Sequence, residues 1–314
     1  MAASEFDLIE RYFAPLAGPE GLGLKDDAAH FTPPAGFDLT LTVDANVAGV
    51  HFLAKESPDI VARRLLRTNL SDLAAKGARP VGYLLTLALS EATDEAWVQA
   101  FAQGLAADQA MFGLNLFGGD TVATPGPALA SITALGLTPS GRAVLRSGAK
   151  AGDGVFVTGT IGDAGLGLSL LQGAPENDLS SDDRQWLIER FRLPTPRLEF
   201  GADLLNAATA AADVSDGLVA DAGHIAKASG LIIEIDATAV PLSEAALRYG
   251  LDPLRAMTSG DDYEIVFAAS GESPVPATRI GAVRSPKAGE TPGAIVLDSS
   301  GAKIPILRSG YAHR

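Results

Sequence analysis

Five short segments place aspartate at the end of an apolar run or beside glycine: Asp26-Asp27, Val43-Asp44, Asn69-Leu70-Ser71-Asp72, Gly118-Gly119-Asp120-Thr121 and Asp213-Val214-Ser215-Asp216-Gly217. Taken singly, each aspartate reads as a turn residue or a helix N-cap. Taken together, Asp27, Asp44, Asp72, Asp120, Asp213 and Asp216 all fall at strand or helix ends, where α/β folds gather ligands. Asp44, Asp120 and Asp213 abut apolar stretches, where an unpaired carboxylate is costly. Six carboxylates cannot crowd together as bare anions, because like charges raise one another's pKa. Divalent cations relieve that repulsion, and ligands that are all oxygen favour Mg²⁺ over zinc.

Glycine supplies the second signal. Gly118-Gly119 allows backbone N–H groups to approach a phosphate, and the run from Thr158 to Gly167 allows the same at a helix start; ordinary tight turns explain both equally well. No Gly-Lys dipeptide occurs, so a Walker A loop is absent, and no Gly-x-Gly-x-x-Gly is present. Arg142, Arg146 and Lys150 cluster in a loop that reads first as a solvated surface, although the Arg146 guanidinium can clamp two phosphate oxygens. His30, His51, His224 and His313 have no zinc spacing. His51 follows Asp44 and can line a substrate pocket, whereas His224 reads as a structural residue on a helix face.

Composition limits what these residues serve. The 314-residue chain is 47% hydrophobic and 20% charged, long enough for two domains with real cores. With 24 basic against 38 acidic residues the net charge is −14, which argues against nucleic acid or an anionic membrane surface as partner. An anionic substrate stays open, since bound Mg²⁺ inverts the local field. The absence of cysteine excludes disulfides, thiolate metal sites and thiol nucleophiles, and makes a cytoplasmic location the expectation. Glu5, Asp7 and Glu10 break any basic-then-apolar signal order, and the apolar run Val81–Leu89 is too short to span a bilayer.

The elements that must position these residues follow from periodicity and punctuation. Ser4 caps an amphipathic helix to Phe13, with Phe6, Ile9 and Phe13 on one side, and Gly18–Gly23 reads as a loop. Leu39–Val43 is a strand, Pro58–Lys76 a helix stopped by Gly77, and Val81–Leu89 a strand. Asp94 caps a helix closed by Gly113, Leu114–Phe117 is a strand ending at Gly118-Gly119-Asp120, and Leu129–Leu137 is another strand. The β-α-β-α-β-β order predicts an α/β sandwich with a mixed sheet. The loop Thr138–Asp153 carries the expected boundary, giving domains 1–141 and 142–314. In the second, Val155–Thr158 is a strand and the glycines Gly159 to Gly167 lead into an apolar helix. Helices follow over Asp182–Phe191 and Arg197–Ala208, then a strand over Ala211–Val214. Asp216-Gly217 starts a helix to Ser229, Leu231–Ile235 is a strand and Ser243–Tyr249 a helix. Thr258–Asp262 is a loop, Tyr263–Phe267 a strand, and weak strands lie near Ile280 and Ile295.

The ordered set of motifs resembles the thiamine-monophosphate kinase family, whose superfamily also holds aminoimidazole ribonucleotide synthetase, selenophosphate synthetase and the hydrogenase-maturation dehydratase. The resemblance rests on Glu5-Phe6 with Leu8-Ile9, Asp26-Asp27-Ala28-Ala29, Thr42-Val43-Asp44, and Val47-Ala48-Gly49-Val50-His51-Phe52. It continues through Asn69 to Ala75, Gly118-Gly119-Asp120-Thr121, Gly141-Arg142 to Ala149, and Val157-Thr158-Gly159. It ends with Asp213 to Leu218, Gly260-Asp261-Asp262-Tyr263-Glu264 and Gly310-Tyr311-x-His313. It implies ATP-dependent phosphorylation of thiamine monophosphate to thiamine diphosphate, on a two-domain synthetase-like fold that dimerises through its N-terminal sheets. Asp27, Thr42, Asp44, Asp72, Asp120, Asp213 and Asp216 match Mg²⁺ positions, with Val43 in the same loop. Gly119, Asp120, Arg146 and Ser215 match nucleotide contacts, and His51, Asp261 and Tyr311 match positions around the thiamine moiety. Asp72, Asp120 and Asp213 are expected to matter most for catalysis. Lys25, Ser259, Asp261 and Arg314 depart from the family pattern, where Gly, Gly, Glu and Phe are usual.

Two alternatives stand beside it. One is another ATP-dependent synthetase of the superfamily; the members that need cysteine or selenocysteine are disfavoured here. The other is a non-catalytic Mg-nucleotide-binding regulator.

Overall fold

A computed structural model describes residues 4–311. His313 and Arg314, part of the C-terminal motif, lie outside the described residues. The chain divides into two compact units, Met1–Leu73 with Ala78–Gly141, and Ala74–Gly77 with Arg142–Arg314.

In the first unit, Ser4 caps α1 (Glu5–Leu8) through a reciprocal pair with Asp7. A π-helical turn over Ile9–Phe13 and 3₁₀ turns over Ala14–Leu16 and Pro19–Leu24 follow. The stretch expected as a loop at Gly18–Gly23 is thus wound, with Gly21 buried beneath the Phe117 carbonyl. Phe6 is exposed while Phe13 is buried, so the amphipathic face expected of the first helix is only partly realised.

Next come β1 (Phe37–Val47), α2 (Pro58–Ala75), β2 (Arg79–Leu89), α3 (Glu95–Phe112), β3 (Asn115–Ala123) and β4 (Leu129–Pro139). Asp94 and Gly113 cap α3 as their types predict, Gly113 taking φ 69°. The sheet order is β1-β4-β2-β3, parallel between β2 and β3 and antiparallel elsewhere. Two strand readings need correction. β1 does not stop before Asp44 but runs on to Val47, so Asp44 lies inside the strand, paired to Ile132 of β4. β3 does not stop at Gly118-Gly119-Asp120 but runs on to Ala123, with Asp120 paired to Thr86. The reason is close approach: a Cβ on Gly119 would lie 2.1 Å from the Leu85 carbonyl oxygen, so glycine here permits pairing rather than a turn.

The second unit holds β5 (Gly154–Val157), α4 (Asp163–Leu171), α5 (Ser181–Arg192), α6 (Gly201–Ala207), β6 (Ala208–Asp213), α7 (Leu218–Ser229), β7 (Ile232–Asp236), α8 (Glu244–Tyr249), α9 (Pro253–Ser259), β8 (Ile265–Ala269), β9 (Thr278–Arg284), β10 (Gly293–Leu297) and β11 (Lys303–Ile304). Its seven-stranded mixed sheet has the order β11-β10-β7-β9-β5-β8-β6. β5, buried throughout, lies between β8 and β9. α4 starts at Asp163, so Gly165 and Gly167 sit inside the helix. A Cβ on Gly167 would lie 2.0 Å from the Leu187 carbonyl of α5, and the glycine lets the two helices touch. α9 was not expected, although Asp252 caps it and Pro253 occupies its first position. Among the described residues no helix is long and apolar enough to cross a membrane.

Candidate active-site elements

In the first unit, the last turn of α2 presents Asp72. This helix is fixed to α3 by a buried cluster. The Arg67 guanidinium donates to both carboxylate oxygens of Asp108, at 2.6 and 2.9 Å, and Arg63 adds a bond of 3.0 Å. Asp108 is fully buried, so removing it would strand two cations beside the core. On β1, the Thr42 hydroxyl donates to Asp72 at 2.6 Å, joining two of the residues singled out in the sequence. One residue on, the side chain of Val43 is exposed, leaving only its carbonyl as a metal donor. The Asp44 carbonyl accepts from the Ser131 hydroxyl at 2.9 Å.

Asp27, Gly119 and Asp120 line one cavity of about 770 Å³. Its wall also includes Asp26, Thr86 and Thr121, set against Phe13, Phe31 and Leu135. Apolar walls with a few converging polar groups are what small-molecule sites share. His51 is oriented by its own turn. Its Nδ1 accepts the Val47 N–H at 3.1 Å, which leaves the proton of a neutral ring on Nε2.

In the second unit, β6 ends at buried Asp213 and the chain turns through Val214–Gly217 into α7. Distant segments grip this turn by its carbonyls. Tyr263 N–H donates to Val214, Asp261 N–H to Ser215 and Tyr311 N–H to Asp216, at 2.9, 2.8 and 2.9 Å. Two glycines make the grip possible. A Cβ on Gly260 would lie 2.6 Å from the Ser215 carbonyl oxygen, and one on Gly310 would lie 2.4 Å from that of Asp216. The backbone N–H groups of Asp216 and Gly217 donate to the Asp221 carboxylate at 3.1 Å each. Ser215, Asp216, Asp261 and Tyr311 are therefore tied by backbone hydrogen bonds into one cluster.

Asp261 and Tyr263 both have left-handed backbones, at φ 65° and 51°. Such conformations are rare outside glycine and cluster at functional sites. Buried acids between and after them hold the segment down. Asp262 accepts the N–H groups of Gly162 and Ala164 at the start of α4, at 2.8 and 3.3 Å. The Glu264 carboxylate accepts from Thr158, Arg190 and Arg197. Burial pushes the Asp262 carboxyl well above the usual range, opposed by the Gly162 N–H and the Arg190 charge.

Asp216, Asp221 and His224 place one potential ligand atom each within 4.8 Å of the others. Burial, then the neighbouring Asp216 carboxylate, push the Asp221 carboxyl up to about 7. His224 is lowered by partial burial and by the Arg146 and Lys227 charges. Arg146 thus acts electrostatically on both Asp221 and His224. No sequence motif marks Asp221, and from sequence His224 reads as a structural residue. The available signal was their three-residue spacing on one helix face, a turn beyond Asp216.

Of the departures noted above, Ser259 closes α9, its hydroxyl donating to the Ala256 carbonyl at 3.0 Å. Gly165 of α4 makes room for it, since a Cβ there would lie 2.4 Å from that of Ser259.

Fold and site elements together define a chain of the AIR-synthase-related class. Residues 25–138 match the family model "AIR synthase related protein, N-terminal domain", and residues 150–287 match the corresponding C-terminal domain. The chain belongs, within that class, to the thiamine-monophosphate kinase family. It is 48% identical to thiamine-monophosphate kinase of Caulobacter vibrioides over 275 residues, 84% of this chain and 76% of that protein. The crystal structure of thiamine-monophosphate kinase from Stenotrophomonas maltophilia superposes with a TM-score of 0.81 at 38% identity, covering 94% of this chain and 97% of the other. A second solved relative, AaThiL complexed with AMPPCP and TMP, gives a TM-score of 0.77 at 30% identity, covering 98% and 97%.

Proposed function

We propose that this protein transfers the terminal phosphoryl group of ATP directly to thiamine monophosphate, yielding thiamine diphosphate and ADP. The observation that carries this reading is the grip on the Val214–Gly217 turn. Ser215 and Asp216, assigned to nucleotide and metal, share backbone hydrogen bonds with Asp261 and Tyr311, assigned to the acceptor. The relative complexed with AMPPCP and TMP supports the same pair of substrates.

Mg²⁺ fits the residues present. Asp27, Thr42, Val43, Asp44, Asp72, Asp120, Asp213 and Asp216 are the proposed positions, and every donor they offer is a carboxylate, hydroxyl or carbonyl oxygen, the set a hard cation takes. When bound, Mg²⁺ supplies charge neutralisation on the phosphates that must meet. The chain's own residues do the rest. Thr42 orients the Asp72 carboxylate by its hydrogen bond. Gly119, packed against the Leu85 carbonyl on β2, is a proposed nucleotide contact together with Arg146 and Ser215. His51, Asp261 and Tyr311 hold the thiamine moiety. Phosphate is already ionised at neutral pH, so alignment rather than a strong general base makes the reaction possible.

Residues 1–141 form the proposed metal, ATP and dimerisation domain, and residues 142–314 complete the nucleotide and acceptor site. A homodimer is proposed through the first sheet, where Phe37, Leu39, Leu41 and Val43 alternate onto an exposed face of β1. A cytoplasmic location accords with a chain that carries no cysteine.

The deciding experiment is ATP turnover with and without thiamine monophosphate, with products identified. Thiamine diphosphate and ADP support the kinase. Free phosphate as the product points to a synthetase, and no turnover to a regulator.

A further inference from the structure

We infer that Asp221 is a positioning residue for the reaction: its buried carboxylate anchors the Ser215-Asp216-Gly217 peptide from beneath and thereby sets where the nucleotide and metal residues stand. The inference rests on the function proposed above for Ser215 and Asp216.

The turn is held on two sides. Its carbonyls are taken by the N–H groups of Tyr263, Asp261 and Tyr311. Its N–H groups at Asp216 and Gly217 go to one atom, Asp221 Oδ2, at 3.1 Å each. Gly217 is the N-cap of α7, and among the described residues no side chain caps that helix from outside. Asp221, one turn into the helix, reaches back to the loop before it. In doing so it accepts the N–H groups of the two residues that lead into the helix. Any side chain at Gly217 would strain this turn. Its φ is 130°, and a Cβ would lie 3.2 Å from the Met257 carbonyl oxygen.

The rival role is metal ligation, because Asp221 lies within 4.8 Å of Asp216 and His224 ligand atoms. Two features favour positioning. The Oδ2 atom already accepts two backbone N–H groups. The residue is 1% exposed, whereas His224 faces solvent.

Asp221→Asn and Asp221→Ala in the full chain separate the two roles. Asparagine keeps an acceptor oxygen in place and loses the charge; alanine loses both. Anchoring predicts that Asp221→Asn retains kcat within about threefold and leaves the Mg²⁺ concentration for half-maximal rate unchanged. Asp221→Ala is expected to lower kcat/KM for ATP by about ten- to a hundredfold, the scale of two lost hydrogen bonds. A Mg²⁺ requirement raised tenfold or more in Asp221→Asn would show a ligand and overturn the inference. So would near-wild-type kinetics in Asp221→Ala. Should the alanine variant fail to fold, Asp221→Ser, too short to reach, is read instead by hydrogen–deuterium exchange over residues 214–218, and exchange no faster than wild type overturns the anchor. Wild-type turnover is measured first. If it is absent the kinase reading fails, while the exchange comparison still decides whether Asp221 holds the loop.

Discussion

The backbone N–H of Tyr311 donates to the carbonyl oxygen of Asp216 at 2.9 Å, so the C-terminal segment lies directly on the turn proposed to hold nucleotide and metal. Contact this close requires Gly310. The Cβ of Gly310→Ala would lie 2.4 Å from the Asp216 carbonyl oxygen and 2.8 Å from Ala220 Cβ. The variant is expected to raise KM for thiamine monophosphate about tenfold, the size of one lost hydrogen bond to backbone. Steady-state kinetics with each substrate varied in turn would check this, and an unchanged KM would contradict it.

Asp72→Asn and Asp120→Asn test the acidic set of the first unit. Both substitutions are nearly isosteric and lie outside the buried Arg67–Asp108 cluster. Activity should fall about a hundredfold or more, as when a transition-state charge partner is removed. Circular dichroism and melting temperature should stay close to wild type. Near-full turnover in either variant counts against the proposed Mg²⁺ positions.

Asp261→Asn separates charge from backbone. Asparagine tolerates the left-handed conformation seen at φ 65°, so stability should hold. Losing the carboxylate should weaken binding of the cationic thiamine moiety, raising its KM about tenfold while the KM for ATP stays fixed. Equal shifts in both constants would remove Asp261 from the acceptor site.

Asp262 should shape stability against pH. Its folded carboxyl is raised above its unfolded value of about 4, so the native state binds the proton more tightly. Its stabilising contribution is full below that unfolded value and is lost as pH rises through the folded one. Asp262→Asn removes the titration. Melting temperature measured from pH 4 upward should therefore decline less steeply in the variant than in wild type, and parallel curves would refute the assignment.

Leu41→Lys tests the first sheet. Leu41 is 60% exposed among the apolar residues of β1. Light scattering should show wild type as a dimer and the variant shifted to monomer, since a buried unpaired cation opposes association. A wild-type monomer would remove the dimer from the proposal.

Much of this molecule could be read from sequence wherever a local rule decides the outcome. Asp94 and Gly113 bound α3 by capping, and Pro58 opened α2 correctly. Where distant chain decides, local rules failed. Gly118-Gly119 reads as a turn, yet it extends β3 because Gly119 passes against the Leu85 carbonyl. Asp252-Pro253 opens a short helix that carries no apolar period long enough to register. The carboxylates at Asp27, Asp72, Asp120 and Asp216 stood out by type and neighbour. Asp221 did not, because its role lies in two backbone N–H groups brought to it by a turn whose shape is set by Gly260 and Gly310.

The close seating of Gly310 also has a proteolytic consequence. Arg308 precedes the strap formed by Gly310 and Tyr311, and its Nε donates to the Gly310 carbonyl at 2.8 Å. A tryptic cut after Arg308 would release that strap, so the lifetime of a single peptide bond on a gel would report how firmly Gly310 and Tyr311 are fastened to the Asp216 turn.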